Sequence, residues 1–286
     1  AYWVISENKI DRSKFSGTIF HDYLDALVAK PALGIDSDKF VPPSAGLLFR
    51  LSATESQVLT MMNKKLEYLN LDERKRLYHK LVGYWKGVFD QLKFDAIIFP
   101  VAPHTVYDLV IYSLAKIAGI KTIMFDFTRI GDRLLIMNDI EEGSLALRAA
   151  TIKTKSENFD IKNLSPDIAE YYKESQNLNS YVRPADVVGL FNKFKGWNNL
   201  RIKLRVIANN FFNFKIFNIM AGRISRIFTG DLRRDYLKLQ IKPNLDQKFI
   251  YVPLHYQPES STSVLGSVFV DQILMIETLA AALPKG

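Results

Sequence analysis

An α/β fold is what this chain predicts, and three stretches predict it. Residues 94–125 run β-rich, helix-periodic and β-rich again, which is the pattern of a βαβ unit. Residues 2–5 open the chain with an aromatic and β-branched run suited to a strand. Residues 249–254 form a third β-rich run that leads through a polar loop and a glycine turn into the apolar periodic stretch 268–283. With 286 residues and 48% hydrophobic content, the chain has material for one large or two smaller domains.

The remaining elements follow in order. Residues 16–28, which include His21 and Asp22, read as mostly helical, and the Pro/Gly/Ser-rich passage 31–46 reads as loop. Ser52 stands three residues before Glu55, the spacing of a capping box. After it Val58, Leu59, Met62, Leu66 and Leu69 recur at helical spacing. A second helix is expected over 72–92. The strand 94–99 ends at Pro100, the helix 105–118 is closed by Gly119, and 121–125 is the next strand, reached by a right-handed crossover. Residues 151–190 are polar, with a helix expected at 166–176 and either helix or connector at 181–190. The basic stretch 193–242 suggests two helices broken near Gly222 or Gly230. No internal repeat is present.

Composition narrows the function classes. The chain has no cysteine, so disulfides, thiolate nucleophiles and cysteine metal sites are excluded. Its four histidines, His21, His79, His104 and His255, are scattered with no pair at metal-ligand spacing, and no metal is expected. No apolar run approaches the ~20 residues that span a bilayer, and no signal peptide opens the sequence, which favours a cytoplasmic protein. The net charge of +8 is concentrated. Between Lys193 and Lys242 twelve Lys or Arg face only Asp231 and Asp235, a net +10 in that segment alone. The chain starts at Ala1 inside an expected strand and stops at Gly286, where an α/β unit would turn into its next strand, so it reads as a piece of a longer protein.

Four constellations carry chemistry. Pro100-Val101-Ala102-Pro103-His104-Thr105 lies at the carboxyl end of the 94–99 strand, where open α/β sheets bind ligands. A neutral His104 there suits a base toward a hydroxyl or a donor to phosphate, and the plain alternative is a helix cap. Asp126 and Arg129 follow the next strand on the same edge, with Thr128, Asp132 and Arg133; ordinary solvated loop charge is the alternative for them. The loop His255-Tyr256-Gln257-Pro258-Glu259-Ser260-Ser261-Thr262 gathers an imidazole, an amide, a carboxylate and three hydroxyls behind a β-rich run. It is either a ligand loop or a capped helix start with Ser261 or Thr262 as N-cap. The basic stretch interleaves its cations with Trp197, Phe211, Phe212, Phe214, Phe217, Phe228 and Tyr236. It fits a packed amphipathic helix with a solvated basic face, an anionic membrane surface, or nucleic acid, which ranks last.

The run Val252-Pro253-Leu254-His255 through Glu259, followed by Asp271-Gln272 in a helix ending near Leu283-Pro284, resembles bacterial capsule and surface-polysaccharide biosynthesis proteins. The likeness is to the capsule-synthesis glycosyltransferase family that includes Kdo transferases. It is clearest over about 40 C-terminal residues and extends more weakly over 94–140, where the Pro103-His104 turn is similar to the family's first domain. The family carries glutamine and aspartate where His255 and Glu259 stand.

That resemblance implies a GT-B-like architecture. Residues 1–150 would form an N-terminal Rossmann-like domain, 151–245 a helical basic connector, and 246–286 the first strand, loop and helix of a second Rossmann-like domain. The implied activity is transfer of a sugar from a nucleotide-activated donor, for instance a CMP-linked one, to a surface polysaccharide or lipid-linked glycan, with no further cofactor. Glu259 would act at the anomeric centre, His104 as acceptor-side base, and His255 with Gln257 would orient the sugar. Ser260, Ser261 and Thr262, with Asp126 and Arg129, would contact the donor. The basic stretch would hold the enzyme on the inner face of the cytoplasmic membrane. The rival classes are a non-catalytic nucleotide- or nucleic-acid-binding module and a structural partner in polysaccharide assembly.

Overall fold

The structure, a computed structural model, describes residues 1–5, 10–128, 130–155, 160–177, 232–255 and 260–284. The chain divides into two compact units, Ala1–Tyr171 with Val252–Gly286, and Tyr172–Tyr251.

The first unit is mixed α/β with two small open sheets. Strand β1 (Tyr2–Ile5) pairs in parallel with β2 (Ile19–Asp22), with Trp3 opposite Phe20 and Val4 opposite His21. Helix was expected across these β2 residues, so this is a correction. Ile19 and Phe20 suit a strand, and the pairing with β1 supplies the hydrogen bonds that a short helix would otherwise make for itself. Helix begins only at α1 (Tyr23–Leu27), where the Asp22 carboxylate accepts from the backbone N–H groups of Leu24 and Asp25.

Helix α2 (Ala45–Arg50), capped by Ser44, interrupts what reads as loop and runs almost directly into α3 (Ser52–Met61). Ser52 is therefore inside the helix, and no side chain caps α3. Leu51 takes the cap position because it is buried, and its carbonyl accepts from both the Glu55 N–H and the Tyr78 hydroxyl. Periodicity to Leu69 does not extend α3 either. The chain passes through one 3-10 turn, Met62–Lys64, and restarts at Asn70, which forms a reciprocal capping box with Glu73.

Helix α4 (Leu71–Leu92) is the spine of the unit. Tyr78, Leu81, Val82, Trp85, Val88 and Phe89 are buried at helical spacing, so one face is committed to the core. The helix stops at Lys93, which is held in the left-handed conformation at φ 50°.

The βαβ unit forms as the sequence predicts. Strand β3 (Ala96–Phe99) leads into α5 (Val106–Ala118) and then β4 (Lys121–Phe127), with β3 and β4 parallel and Ile98 opposite Ile123. Gly119 ends α5 at φ 69°. Strand β4 runs two residues longer than expected because the chain doubles back into β5 (Leu134–Met137), an antiparallel partner that pairs Phe127 with Leu134. Register places Phe99, Met124 and Met137 in one buried row on the inner face of this sheet. The opposite face carries Ile98, Phe127, Leu134 and Ile136, all exposed, the first two at 66%.

Asp139 ties the end of this sheet to α5. Its carboxylate accepts from the Lys116 ammonium at 2.5 Å, the Tyr112 hydroxyl at 3.1 Å and the backbone N–H groups of Glu141 and Glu142. Burial is the largest influence on this carboxyl and pushes its pKa up, yet these donors together bring it down to about 2. Helix α6 (Leu145–Thr154) follows with Ser144 as cap, and α7 (Pro166–Ser175) lies where a helix was expected.

The C-terminal part departs most from expectation. Residues 249–254 form no strand, and Phe249, Ile250, Tyr251 and Leu254 are exposed. A β-rich run becomes a strand only when another strand offers its backbone groups, and among the described residues none pairs with this one. Ser260–Ser263 make a single turn that packs on α3, Val264 joins the core, and Ser267–Val270 form a 3-10 turn. The last helix, Gln272–Ala282, is capped by Asp271, not by Ser261 or Thr262.

In the second unit the described part holds the helix Leu232–Leu239, with Tyr236, Leu237 and Leu239 exposed, followed by irregular chain. Most of the basic stretch, including Arg201, Lys203 and Arg205, and the expected element at 181–190 lie outside the described residues. Among the described residues no helix is long and apolar enough to cross a membrane.

Candidate functional site

The best-defined polar constellation lies in the turn between β3 and α5. Because β3 and β4 are parallel, their carboxyl ends share one edge, and the turn from Pro100 to Thr105 leaves that edge. Pro103 is fully buried and anchors the turn. The His104 ring is half-buried, and its Nδ1 lies 2.8 Å from the Ala102 carbonyl. A carbonyl only accepts, so Nδ1 carries a proton, and in the neutral ring Nε2 keeps its lone pair. No described group partners Nε2.

Asp108 supports the turn from within the first turn of α5. One carboxylate oxygen accepts from the Thr105 N–H at 2.7 Å and the other from the His104 N–H at 3.3 Å. Burial pushes the Asp108 carboxyl up to about 6, against the opposing pull of Thr105 and the His104 ring. His104 and Asp108 thus share one turn, the ring held at the Ala102 carbonyl and the carboxyl, raised to about 6, at the His104 and Thr105 N–H groups. A carboxyl raised to about 6 can accept or release a proton near that pH, which suits general acid–base work. Next to Asp108, the Tyr107 ring stacks on Trp85 with centroids 6.2 Å apart and meets Tyr23 edge-on at 5.6 Å.

The other predicted site residues are placed differently. Asp126 lies on β4, opposite Leu135 and exposed, two residues beyond the last β3 pairing. Arg129 lies outside the described residues. Arg133 is engaged in structure: it pairs with Asp167 at 2.6 Å and donates to Ser165. His255 is bound through its backbone, its N–H donating to Gln272 Oε1 at 2.6 Å and its carbonyl accepting from Nε2 at 2.8 Å. Ser261 is partly buried, and Thr262, only 3% exposed, lies in the interior. Gln257, Glu259 and the Ser260 side chain lie outside the described residues. Among the described residues no group of three or more His, Asp or Glu is arranged to hold a metal ion.

Asp108 is the residue that sequence reasoning passed over. Its signal was present, because Thr105 followed three residues later by an acidic side chain is a capping-box spacing. Comparison of the chain with protein-family models, with curated proteins and with solved structures returns no match.

Proposed function

We propose that the chain is part of a nucleotide-sugar-dependent glycosyltransferase of bacterial surface-polysaccharide assembly, of GT-B type, working at the cytoplasmic membrane face. The observation that carries this reading is the His104 tautomer: an imidazole at the carboxyl edge of parallel strands, its Nδ1–H held by the Ala102 carbonyl and its Nε2 free to take a proton from an acceptor hydroxyl. In this reading Asp108 fixes the turn, Asp126 and Arg129 stand on the donor side, and Glu259, with His255, Gln257 and Ser260 to Thr262, belongs to the donor sugar. The resemblance over residues 252–284 supports the same class. The absence of a 249–254 strand shifts the weight of the proposal from that loop to the β3–α5 turn.

No metal is needed in the proposed transfer if cations and backbone N–H groups balance the leaving phosphate. The basic stretch would meet anionic lipid, and charge reversal at Arg201, Lys203 and Arg205 would then abolish liposome binding.

Calorimetric titration of the protein with a panel of nucleotides and nucleotide sugars tests the reading, beside its His104→Ala and Glu259→Gln variants. Selective binding of one nucleotide class is expected, with glycan transfer lost in His104→Ala while donor binding persists. Failure to bind any nucleotide would overturn it.

A further inference from the structure

A second polar constellation, independent of the sugar-transfer reading, lies beneath the β1–β2 pair. His21 is almost fully buried, 1% exposed, and both ring nitrogens are engaged. Nε2 lies 2.9 Å from the Lys30 carbonyl, and Nδ1 lies 2.7 Å from the Tyr2 hydroxyl. That hydroxyl is 2.9 Å from the Tyr84 hydroxyl, which in turn accepts from the Ala32 backbone N–H at 3.1 Å. The partners come from β1, β2, α4 and the loop at residues 30–32.

The two ends of this chain of hydrogen bonds fix the direction of every proton in it. The Lys30 carbonyl can only accept, so Nε2 carries the imidazole proton and Nδ1 must accept. Tyr2 therefore donates to Nδ1, and Tyr84 donates to Tyr2. The Ala32 N–H can only donate, and it fills the remaining role at Tyr84. Each donor has one acceptor, with none left over.

A proton added at Nδ1 breaks this order. Nδ1 becomes a donor, Tyr2 must turn its hydroxyl hydrogen toward Tyr84, and the Tyr84 oxygen then faces two donors. Its own hydrogen is left with no described acceptor in a buried site, and a buried orphan donor is costly. The imidazolium itself would be desolvated beside the rings of Tyr2, Tyr84 and Trp85, each with its centroid within 5.8 Å.

We propose that His21 is a proton-operated latch: the neutral ring fastens β1, β2 and the 30–32 loop to α4, and protonation at Nδ1 releases them. The titratable groups around it act in opposite directions. Burial lowers the His21 pKa from its ordinary 6.5, while the Lys30 carbonyl and the Asp25 and Asp22 carboxylates favour the charged ring. The Tyr2 phenol is raised by burial and by Tyr84 and stays protonated, and the Lys30 ammonium is turned to Asp25 at 3.1 Å. Acidification is thus the direction that opens the latch. Release has a path to the β3–α5 turn: Asp22, next in the chain, caps α1, and Tyr23 of α1 touches Tyr107 beside Asp108.

Imidazole and backbone NMR of the full nitrogen-15-labelled chain between pH 7.5 and 4.5 tests this. Expected are a neutral His21 with its proton on Nε2, a midpoint below 6.5, and amide signals of Val4, Lys30, Ala32 and Tyr84 that move with that midpoint. Tyr2→Phe removes the donor that favours the neutral ring, so the His21 proton affinity should rise about tenfold, one pKa unit. A proton on Nδ1, a midpoint at or above 6.5, or amide signals that ignore the His21 midpoint would each overturn the latch. The wild-type tautomer and midpoint decide the matter even if Tyr2→Phe does not fold.

Discussion

Gly87 and Phe40 compete for one space: a β-carbon placed on Gly87 would lie 2.2 Å from the Phe40 ring, far inside van der Waals contact. The ring fills the gap that Gly87 leaves in α4, and one turn earlier Gly83 leaves room for Pro43, with Cδ 3.4 Å from its missing β-carbon. The 40–43 segment is thus seated on a glycine track, and this explains two glycines in a helix that would otherwise favour alanine.

Gly87→Ala should destabilise the protein despite a helix-propensity gain of about 1 kcal/mol, because displacing a packed aromatic ring costs about 1–3 kcal/mol. Gly83→Ala, at the edge of tolerable contact, should be close to neutral. Urea midpoints of the two variants, followed by circular dichroism, check the contrast. Equal midpoints would mean that Phe40 moves freely.

Lys93→Gly should stabilise. Lys93 closes α4 in the left-handed region, where a β-carbon costs about 1 kcal/mol, and its side chain is exposed with no core contact to lose. A rise of ~2 °C in the calorimetric Tm is expected.

Asp139→Asn should weaken the fold by about 1–3 kcal/mol at neutral pH, because it removes the charged carboxylate whose one oxygen holds Lys116 and Tyr112 and whose other holds two peptide N–H groups. The folded pKa of Asp139, about 2, lies below its ordinary 3.8. The stability it gives is therefore complete above about pH 4 and drains away as pH falls toward 2. In the variant this acid loss should be smaller, as read from urea midpoints across that range.

Asp108 should act with the opposite sign. Its folded pKa of about 6 exceeds the ordinary 3.8, so the folded state takes up a proton first and gains stability as pH falls from about 6 toward 4. Asp108→Asn should remove that gain and flatten this part of the pH profile. An unchanged slope between pH 6 and 4 would show that Asp108 does not titrate there.

Elements written in local sequence were legible. Helix α5 announced itself through apolar spacing and Gly119, and α4 was expected over all but its first residue. What failed depended on partners. Residues 19–22 became a strand because β1 lies beside them, residues 249–254 did not because no described strand pairs with them, and β5 exists because β4 extends to meet it. The site divides along the same line. His104 was readable from a proline turn at a strand end, and Asp108 left a cap spacing three residues on. The partners of His21 include Tyr84, 82 residues beyond Tyr2 in sequence, and nothing local joins them.

The uncovered side of the β3–β4–β5 sheet has a practical bearing on all these experiments. Ile98, Phe127, Leu134 and Ile136 give the native protein an oily panel that environment-sensitive dyes will find before any heat is applied. Dye-based melting curves of this chain should start bright and change little on unfolding, and Ile136→Lys should darken that starting signal while leaving the calorimetric transition in place.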